Sequence, residues 1–324
     1  MACIDVFNGD ADGICALHQL RSAEPMHATL VTGPKREIDL LRRVHAQAGD
    51  TVTVCDISLD VNAAALNDLL ARSVDVLYFD HHAATQRPAH PGLRGVIDTS
   101  PDVCTSALVD AFLTAAFRPW AVVAAFGDGM PALGRRLAEP LQLAAAHLEQ
   151  LRELGELINY NAYGEDLADL LVHPERLYRL IAPHEQPAQF IAREKQLLAQ
   201  LRALRATDAE HVRELRPKYA SASGAVFVLP DASWSRRLRG DFSNQIAQRE
   251  PQRAHAVLSV NAQGGYMASV RAPLARNQGA DLLCKRFASG GGRAAAGGIN
   301  HLPADQLDRF VHEFLAAFAL PDLG

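Results

Sequence analysis

The stretch Val74-Asp75-Val76-Leu77-Tyr78-Phe79-Asp80-His81-His82 decides the fold class of this sequence. Its first part is apolar and rich in β-branched residues, which predicts a buried strand. A carboxylate and two imidazoles follow at once, and burying such groups is costly unless each finds a partner. A divalent metal ion is the simplest partner for this set. The end of the strand is therefore a candidate metal site.

The same pattern follows two earlier predicted strands. Cys3–Phe7 leads into Asn8-Gly9-Asp10-Ala11-Asp12-Gly13 and then a helix, and Thr51–Val54 leads into Cys55-Asp56. Alone, an acidic turn of this kind favours an Asx turn with a helix cap. Alternating strands and helices instead indicate a parallel sheet, and its strands end at one shared edge. We therefore predict an α/β fold with a doubly wound, mainly parallel sheet.

A further acidic residue, Asp128, lies between two glycines after the apolar stretch Trp120–Phe126. The pattern assigns that stretch to a buried helix or strand without deciding between them. Asp128 is either part of a tight turn or a fourth acidic contribution to the site, and the glycines suit both interpretations.

The length of 324 residues indicates two domains. Pro183 and Pro187 interrupt a Leu/Ala-rich helical region, and Gln189–Leu204 has helical spacing of its apolar residues. We predict a metal-binding domain over 1–183, a linker helix within 184–215 and a smaller α/β domain over 216–324. Within the first domain, Ile38–Ala46 is predicted to be an amphipathic helix.

A glycine-rich segment follows in the second domain. Ser289–Gly298 contains five glycines around one arginine, Arg293. We predict a loop in which the backbone N–H groups of Gly290, Gly291 and Gly292 donate hydrogen bonds to an anion. The guanidinium of Arg293 would bind a phosphate through two parallel hydrogen bonds. Arg271, at the end of a predicted hairpin over 256–271, is a second candidate anion contact. The alternative is an ordinary surface arginine exposed to solvent.

Composition excludes several classes of function. The formal net charge of -5 does not suit a protein that coats nucleic acid. Five cysteines without a CxxC pair indicate small apolar residues in a reducing compartment. The N-terminus has no basic or apolar leader pattern, and no apolar run approaches the roughly 18 residues that span a membrane. We expect a cytoplasmic protein with no membrane partner.

The candidate site collects five carboxylates and an imidazole, from Asp10, Asp12, Asp56, Asp80, His81 and Asp128. Without cations these groups would repel one another, whereas two divalent ions would make the set nearly neutral. Carboxylates with imidazole suit Mn²⁺, with Mg²⁺ also compatible, better than zinc. Two such ions activate a water for attack on phosphorus. His82 is then available to hydrogen-bond a phosphoryl oxygen or to protonate the leaving oxygen.

In the order of these motifs the sequence resembles the DHH phosphoesterase superfamily, with the C-terminal glycines resembling its DHH-associated substrate domain. The resemblance implies that Asp56 bridges two ions and that Asp10 holds one of them. It implies that Asp12 and His81 hold the other, that Asp128 completes the cluster and that Asp80 supports the site. In the family the first motif begins with His, or with Asp in RecJ-like exonucleases, and here Asn8 takes that ligand position. The family's Gly-Gly-Gly-His is Gly-Gly-Gly-Arg here, at Arg293.

The resemblance predicts a metal-dependent phosphodiesterase with Asp80 and His82 as catalytic residues. Short linear nucleotides are the expected substrates, such as pGpG or pApA, cleaved to 5′-mononucleotides as by nano-RNases. A single-strand exonuclease, a 3′-phosphoadenosine phosphate phosphatase and a nucleotide-binding module with a weakened metal site are the alternatives. No long duplex nucleic acid is expected as a partner, and a homodimer is left open.

Overall fold

The computed structural model describes residues 1–261 and 263–319. It divides into two compact units, Met1–Ala203 and the chain from Leu204 onward. The division falls inside a helix, within the range in which the sequence predicts a linker. Each unit has its own sheet and its own apolar core.

The sheet of the first unit is entirely parallel, with the order β2-β1-β3-β4-β5. Its strands are β1 Cys3–Phe7, β2 Thr29–Val31, β3 Thr51–Cys55, β4 Asp75–Asp80 and β5 Leu93–Ile97. Successive side chains point to opposite faces. On one face Phe7, Cys55 and Phe79 join one core cluster, and on the other Val6, Val54 and Tyr78 join a second. Since helices cover both faces, the predicted doubly wound sheet is confirmed.

The helices that follow are mostly short. They are α1 Ala11–Ala23, α2 Leu59–Ala71, α3 Thr105–Phe112, α4 Arg118–Gly127, α5 Pro131–Ala138, α6 Ala145–Ala162, α7 Pro174–Ile181, α8 Pro187–Arg193 and α9 Lys195–Arg213. The core on the α1 side is built from α1, α4, α6 and their neighbours, whereas α2 packs on the opposite face.

The predicted helix over Ile38–Ala46 is wrong, because only Leu40–Arg43 forms a short 3-10 turn. Asn62 of α2 supplies the physical reason. Its Nδ2 donates to the carbonyl of Ile38 at 2.6 Å, and its Oδ1 accepts from the Leu41 amide at 3.1 Å. One side chain thus satisfies backbone groups that a longer helix would have paired internally.

Helices α4 and α6 cross with their backbones in contact. A Cβ on Gly127 would lie 2.7 Å from the carbonyl oxygen of Gly155, and a Cβ on Gly155 would collide with the carbonyl of Val123. Only glycine permits this approach. It places Asp128, directly after α4, and Asn159, one turn after Gly155 in α6, at the same end of the crossing.

The second unit has a mixed sheet with the order β10-β11-β9-β8-β7-β6, in which β7 and β8 are the parallel pair among the described strands. Its strands are β6 Tyr219–Ala220, β7 Gly224–Val228, β8 Ala254–Val260, β9 Gly265–Arg271, β10 Gly290–Arg293 and β11 Ala296–Pro303. Its helices are α10 Ser233–Arg249, α11 Ala280–Cys284 and α12 Leu307–Ala317. The predicted smaller α/β domain and its hairpin, β8–β9, are confirmed.

The glycine-rich segment is not a loop. Gly290–Arg293 forms the edge strand β10, paired antiparallel with β11. Gly290 packs so closely on α11 that a Cβ there would collide with the carbonyl of Cys284. The next residue, Gly291, points to the opposite face and has open space where a Cβ would be. Close packing therefore explains some of these glycines, and an open face remains for others.

The cysteines are unpaired thiols. Among the described residues, no helix combines the length and the apolar character needed to cross a bilayer.

Candidate metal centre

The acidic residues meet where the direction of the sheet's connections reverses. The chain leaves β1 toward β2 on one side and later returns to β3 on the other. The crevice beyond the carboxyl ends of such a pair is where α/β sheets bind ligands. Asp10 and Asp12 follow β1 there, Asp56 follows β3, and Asp80 ends β4.

Asp10 and Asp12 each cap a helix, but not the same one. Asp10 is the N-cap of α1, and its Oδ1 accepts from the amides of Asp12 and Gly13, both at 3.0 Å. The Asp12 carboxylate, fully buried, accepts from the amides of Thr105 and Ser106 at 2.7 Å each. These are the first amides of α3, so Asp12 supplies the cap that α3 lacks from its own N-cap residue.

Asp56 has a left-handed backbone, with φ of 61°. Asp tolerates this region better than most residues, and such conformations concentrate at functional sites. Its amide donates to the carbonyl of Phe79 at 3.0 Å, which ties the turn after β3 to the end of β4. Its Oδ1 accepts from the hydroxyl of Thr105 at 3.0 Å.

Three carboxylates converge on one imidazole nitrogen, Nε2 of His81. It lies 3.5 Å from Oδ1 of Asp56, 3.8 Å from Oδ2 of Asp128 and 3.9 Å from Oδ2 of Asp12. The other ring nitrogen, Nδ1, donates to the carbonyl of Val103 at 2.9 Å. That bond assigns a proton to Nδ1 and leaves Nε2 facing the carboxylates.

This donor set fits a divalent cation. The separations around Nε2 are too long for hydrogen bonds, yet shorter than twice a metal–ligand bond of about 2.1 Å. Imidazole nitrogen and carboxylate oxygen suit Mn²⁺ and similar ions. Asp12, His81 and Asp128 form one candidate ligand group, and Asp56, His81 and His82 form another. Asp12, Asp56, His81 and Asp128 are the residues that would hold an ion.

Asp80 links His82 to the start of α2 through hydrogen bonds. Its Oδ1 accepts from Nδ1 of His82 at 2.7 Å, and its Oδ2 accepts from the amide of Leu59 at the start of α2. Asp80 is fully buried, whereas the side chain of His82 is 41% exposed and marks the open side of the centre. The hydrogen bond that His82 donates to Asp80 raises the pKa of His82, so more of this imidazole is protonated at neutral pH.

Lys35, which the sequence reasoning missed, also enters the cluster. Its Nζ donates to Asp10 Oδ2 at 2.6 Å, to Asp128 Oδ1 at 3.0 Å and to Asn159 Oδ1 at 3.2 Å. The signal that could have found it is its position, because Lys35 follows β2 at the same sheet edge.

The charges of the cluster are unequal. Burial alone would raise the pKa of Asp10, but the charge and hydrogen bond of Lys35 lower it. Burial, followed by repulsion from Asp10 and Asp12, raises the pKa of Asp56 well above its usual value. Burial also raises the pKa of Asp128. The ionised form of Asp56 is therefore strongly disfavoured until a cation is nearby.

Asn8 is buried beside this cluster. Its Oδ1 accepts from the Asp10 amide at 3.2 Å, and its Nδ2 donates to the carbonyl of Lys35 at 3.4 Å. Both polar ends of the Asn8 side chain are thus used to hold backbone of the two segments that flank it.

In the second unit, Arg271 and Arg293 lie on one face of the sheet. Arg293 pairs with Ala296, and Ala296 pairs with Arg271, so all three side chains point the same way. Gly291 and Gly298 form the next pair on that face, beside Ser269. We call this surface the glycine platform; its members are Ser269, Arg271, Gly291, Arg293, Ala296 and Gly298. Arg271 is oriented by Asn244 of α10, whose Oδ1 accepts from Nε at 2.8 Å.

No family model matches the sequence, and no curated protein matches it either. Solved structures do match. A crystal structure of exonuclease RecJ bound to manganese has a TM-score of 0.70 and 19% identity, covering 99% of this chain and 91% of the other. RecJ from Thermus thermophilus in complex with Mn²⁺ has a TM-score of 0.67 and 20% identity over 99% of this chain, which spans 52% of that protein.

A third match is the DHH domain of a member of the s1p family of ribosomal proteins, with a TM-score of 0.63 and 14% identity, over 97% of this chain and 86% of the other. At these identities the likeness is one of fold. It extends over both units and agrees with the motif order read from the sequence. The chain has the fold of these RecJ and DHH-domain structures.

Proposed function

We propose that the protein is a Mn²⁺-dependent phosphodiesterase that hydrolyses short linear nucleotides to 5′-mononucleotides. The observation that carries the proposal is the convergence of Asp12, Asp56 and Asp128 on Nε2 of His81. The similarity to manganese-bound RecJ structures supports both the ion and the phosphoric-ester chemistry.

The chain's own residues account for the remaining steps. A divalent cation, when bound, lowers the pKa of a coordinated water so that hydroxide is available near neutral pH. As the new oxygen–phosphorus bond forms, the bond from phosphorus to the departing nucleoside oxygen breaks. His82 would protonate that oxygen from Nε2, because Asp80 holds Nδ1 and raises the pKa of the ring. We assign Asp80 the role of positioning His82.

Two observations favour a short substrate. The net charge of -5 gives a long nucleic acid little to bind, since each phosphate contact needs a cation. The glycine platform places Arg271 and Arg293 about 10 Å apart on one face of the sheet. Gly291 of β10 leaves open space on the same face beside them. This arrangement suits a terminal phosphate better than a long backbone. Dinucleotides such as pGpG and pApA have that terminal group.

The similarity to exonuclease RecJ favours a single-strand exonuclease as the second candidate. The two candidates share the metal centre and differ in substrate length.

The test is hydrolysis of labelled pGpG, pApA and a 5′-labelled single-stranded 20-mer, each with Mn²⁺, Mg²⁺ or a chelator. We expect rapid conversion of a dinucleotide to mononucleotides with Mn²⁺ and none with chelator. A ladder from the 20-mer at comparable rate would select the exonuclease. Binding of nucleotides without metal-dependent cleavage would contradict both and select a binding module.

Arg293→Ala is expected to raise the KM for pApA about ten-fold, because a bidentate phosphate contact contributes on the order of 1.4 kcal/mol. The KM for ApA, which lacks the 5′-phosphate, should change much less. Arg286→Ala is the matched control, since Arg286 pairs with Glu313 of α12 and lies outside the glycine platform. Equal effects of Arg293→Ala on both substrates would remove Arg293 from phosphate recognition.

A further inference from the structure

Lys35 reaches the metal centre from a fixed segment of backbone. Its amide donates to the carbonyl of Ala162, at the end of α6, at 3.0 Å. Its carbonyl accepts from Nδ2 of Asn8 at 3.4 Å. The segment is thus held both by α6 and by the turn after β1, so the ammonium is delivered to the cluster from an anchored position.

The contacts of Lys35 divide the acidic cluster into two halves that share Asp128, whose Oδ1 accepts from Lys35 and whose Oδ2 faces His81. An ammonium has three donors, and those of Lys35 have acceptors in Asp10, Asp128 and Asn159. The second oxygen of Asp10 accepts from the amides of Asp12 and Gly13, so both oxygens of Asp10 are engaged. The other half surrounds Nε2 of His81, and among the described residues Asp10 belongs to neither candidate ligand group.

We propose that the centre holds a single divalent ion, on Asp12, Asp56, His81 and Asp128, and that the Lys35 ammonium stands in place of a second one. The inference rests on the proposed function, because it assigns the charges within that metal centre. It departs from the pair of ions that the sequence predicts.

The physical argument is one of competition for the same oxygens. A second ion bound to Asp10 would have to displace Lys35 from a carboxylate 2.6 Å away. If it did not, a dication would lie within a few ångströms of a partly buried ammonium, and the two like charges would repel each other. Asn8 agrees with this arrangement. Its side chain holds the backbone of Lys35 and of Asp10 and so secures the cation rather than adding a ligand.

The experiment counts bound Mn²⁺ in the full chain. The metal-free protein is titrated with Mn²⁺ by calorimetry, and bound and free ions are followed by electron paramagnetic resonance. The wild type is expected to bind one ion per chain, with an uncoupled spectrum. Lys35→Ala removes the ammonium and opens its space, so bound Mn²⁺ is expected to rise to about two per chain, with the exchange coupling of ions roughly 3.5–4 Å apart.

Lys35→Arg is the matched control, because it keeps the positive charge and should keep one ion. Two tightly bound ions in the wild type would overturn this inference alone and leave the proposed hydrolysis intact. A single ion in a folded Lys35→Ala variant would overturn it as well. Absence of any bound ion in the wild type would overturn both this inference and the proposed function. The wild-type count decides the matter even where the variant does not fold.

Discussion

Replacing Asp56 with alanine is expected to abolish hydrolysis, with kcat/KM falling by roughly a thousand-fold or more, as when a central group is removed from other active sites. Oδ1 of Asp56 lies 3.5 Å from Nε2 of His81 and also accepts a hydrogen bond from the hydroxyl of Thr105, and the residue is buried. Alanine leaves this position without a charge or a ligand oxygen. The measurement is initial rate against pApA concentration at saturating Mn²⁺.

Two variants separate lost chemistry from lost folding. Asp56→Asn keeps the shape and tolerates the left-handed backbone at φ of 61°, but it lacks the charge and should be nearly as inactive. Asp98→Asn alters an acidic residue that follows β5 at the same sheet edge and whose side chain bonds locally, to Ser100. It should retain wild-type activity. Full activity of Asp56→Ala would rule out the metal centre described above.

Replacing Asp12 with alanine is expected to lower the free energy of unfolding of the first unit by about 3–5 kcal/mol. The loss comes from two buried amides, of Thr105 and Ser106, that would have no acceptor at the start of α3. Each unpaired buried amide costs about 1–3 kcal/mol, and the helix dipole loses its carboxylate. Urea unfolding with chelator present measures this effect without any contribution from bound metal.

Asp56→Asn provides the contrast in the same chelator series. Burial and the neighbouring carboxylates raise the pKa of Asp56, so its charge destabilises the metal-free fold. A neutral amide should leave the stability unchanged or increase it. Asp12 and Asp56 would then differ sharply in their effect on folding although both are expected ligands. Equal destabilisation by the two substitutions would show that the Asp12 cap on α3 makes no particular contribution to the free energy of unfolding.

The carboxyl edge of the first sheet was predictable because its signal is local. Asp10, Asp56 and Asp80 each come at or just after the end of a β-branched strand, and parallel strands bring such positions together. Asp128 was ambiguous, because it follows a helix and its place depends on how α4 packs on α6. No spacing in the sequence encodes that crossing.

Lys35 and the partners of Asp12 show what local patterns omit. A lysine in a loop is usually solvated, and only the three acceptors around its Nζ distinguish this one. Thr105 and Ser106 lie at the start of α3, where a hydroxyl side chain commonly caps its own helix. Their amides instead take a carboxylate from α1, 93 and 94 residues earlier in the chain.

The glycine-rich segment failed as a loop prediction for a different reason. Glycines usually weaken strands, and the pattern gives no sign that α11 packs directly on β10. Gly290 and Gly291 alternate between that contact and the open face. The residues proposed to meet a phosphate were thus found in the sequence, whereas the strand that presents them was not.

The contact between Gly127 and Gly155 has a consequence for the proposed ion. Because these two backbones touch, no side chain spaces α4 from α6, and Asp128 stands where the helix axes dictate. A methyl group at either position would push α4 and α6 apart and would lengthen the distance between Asp128 and His81. The spacing of these two helices would then determine which cation radius the proposed site prefers, although neither glycine contacts the ion. A screen for variants with altered metal preference should begin at Gly127 and Gly155.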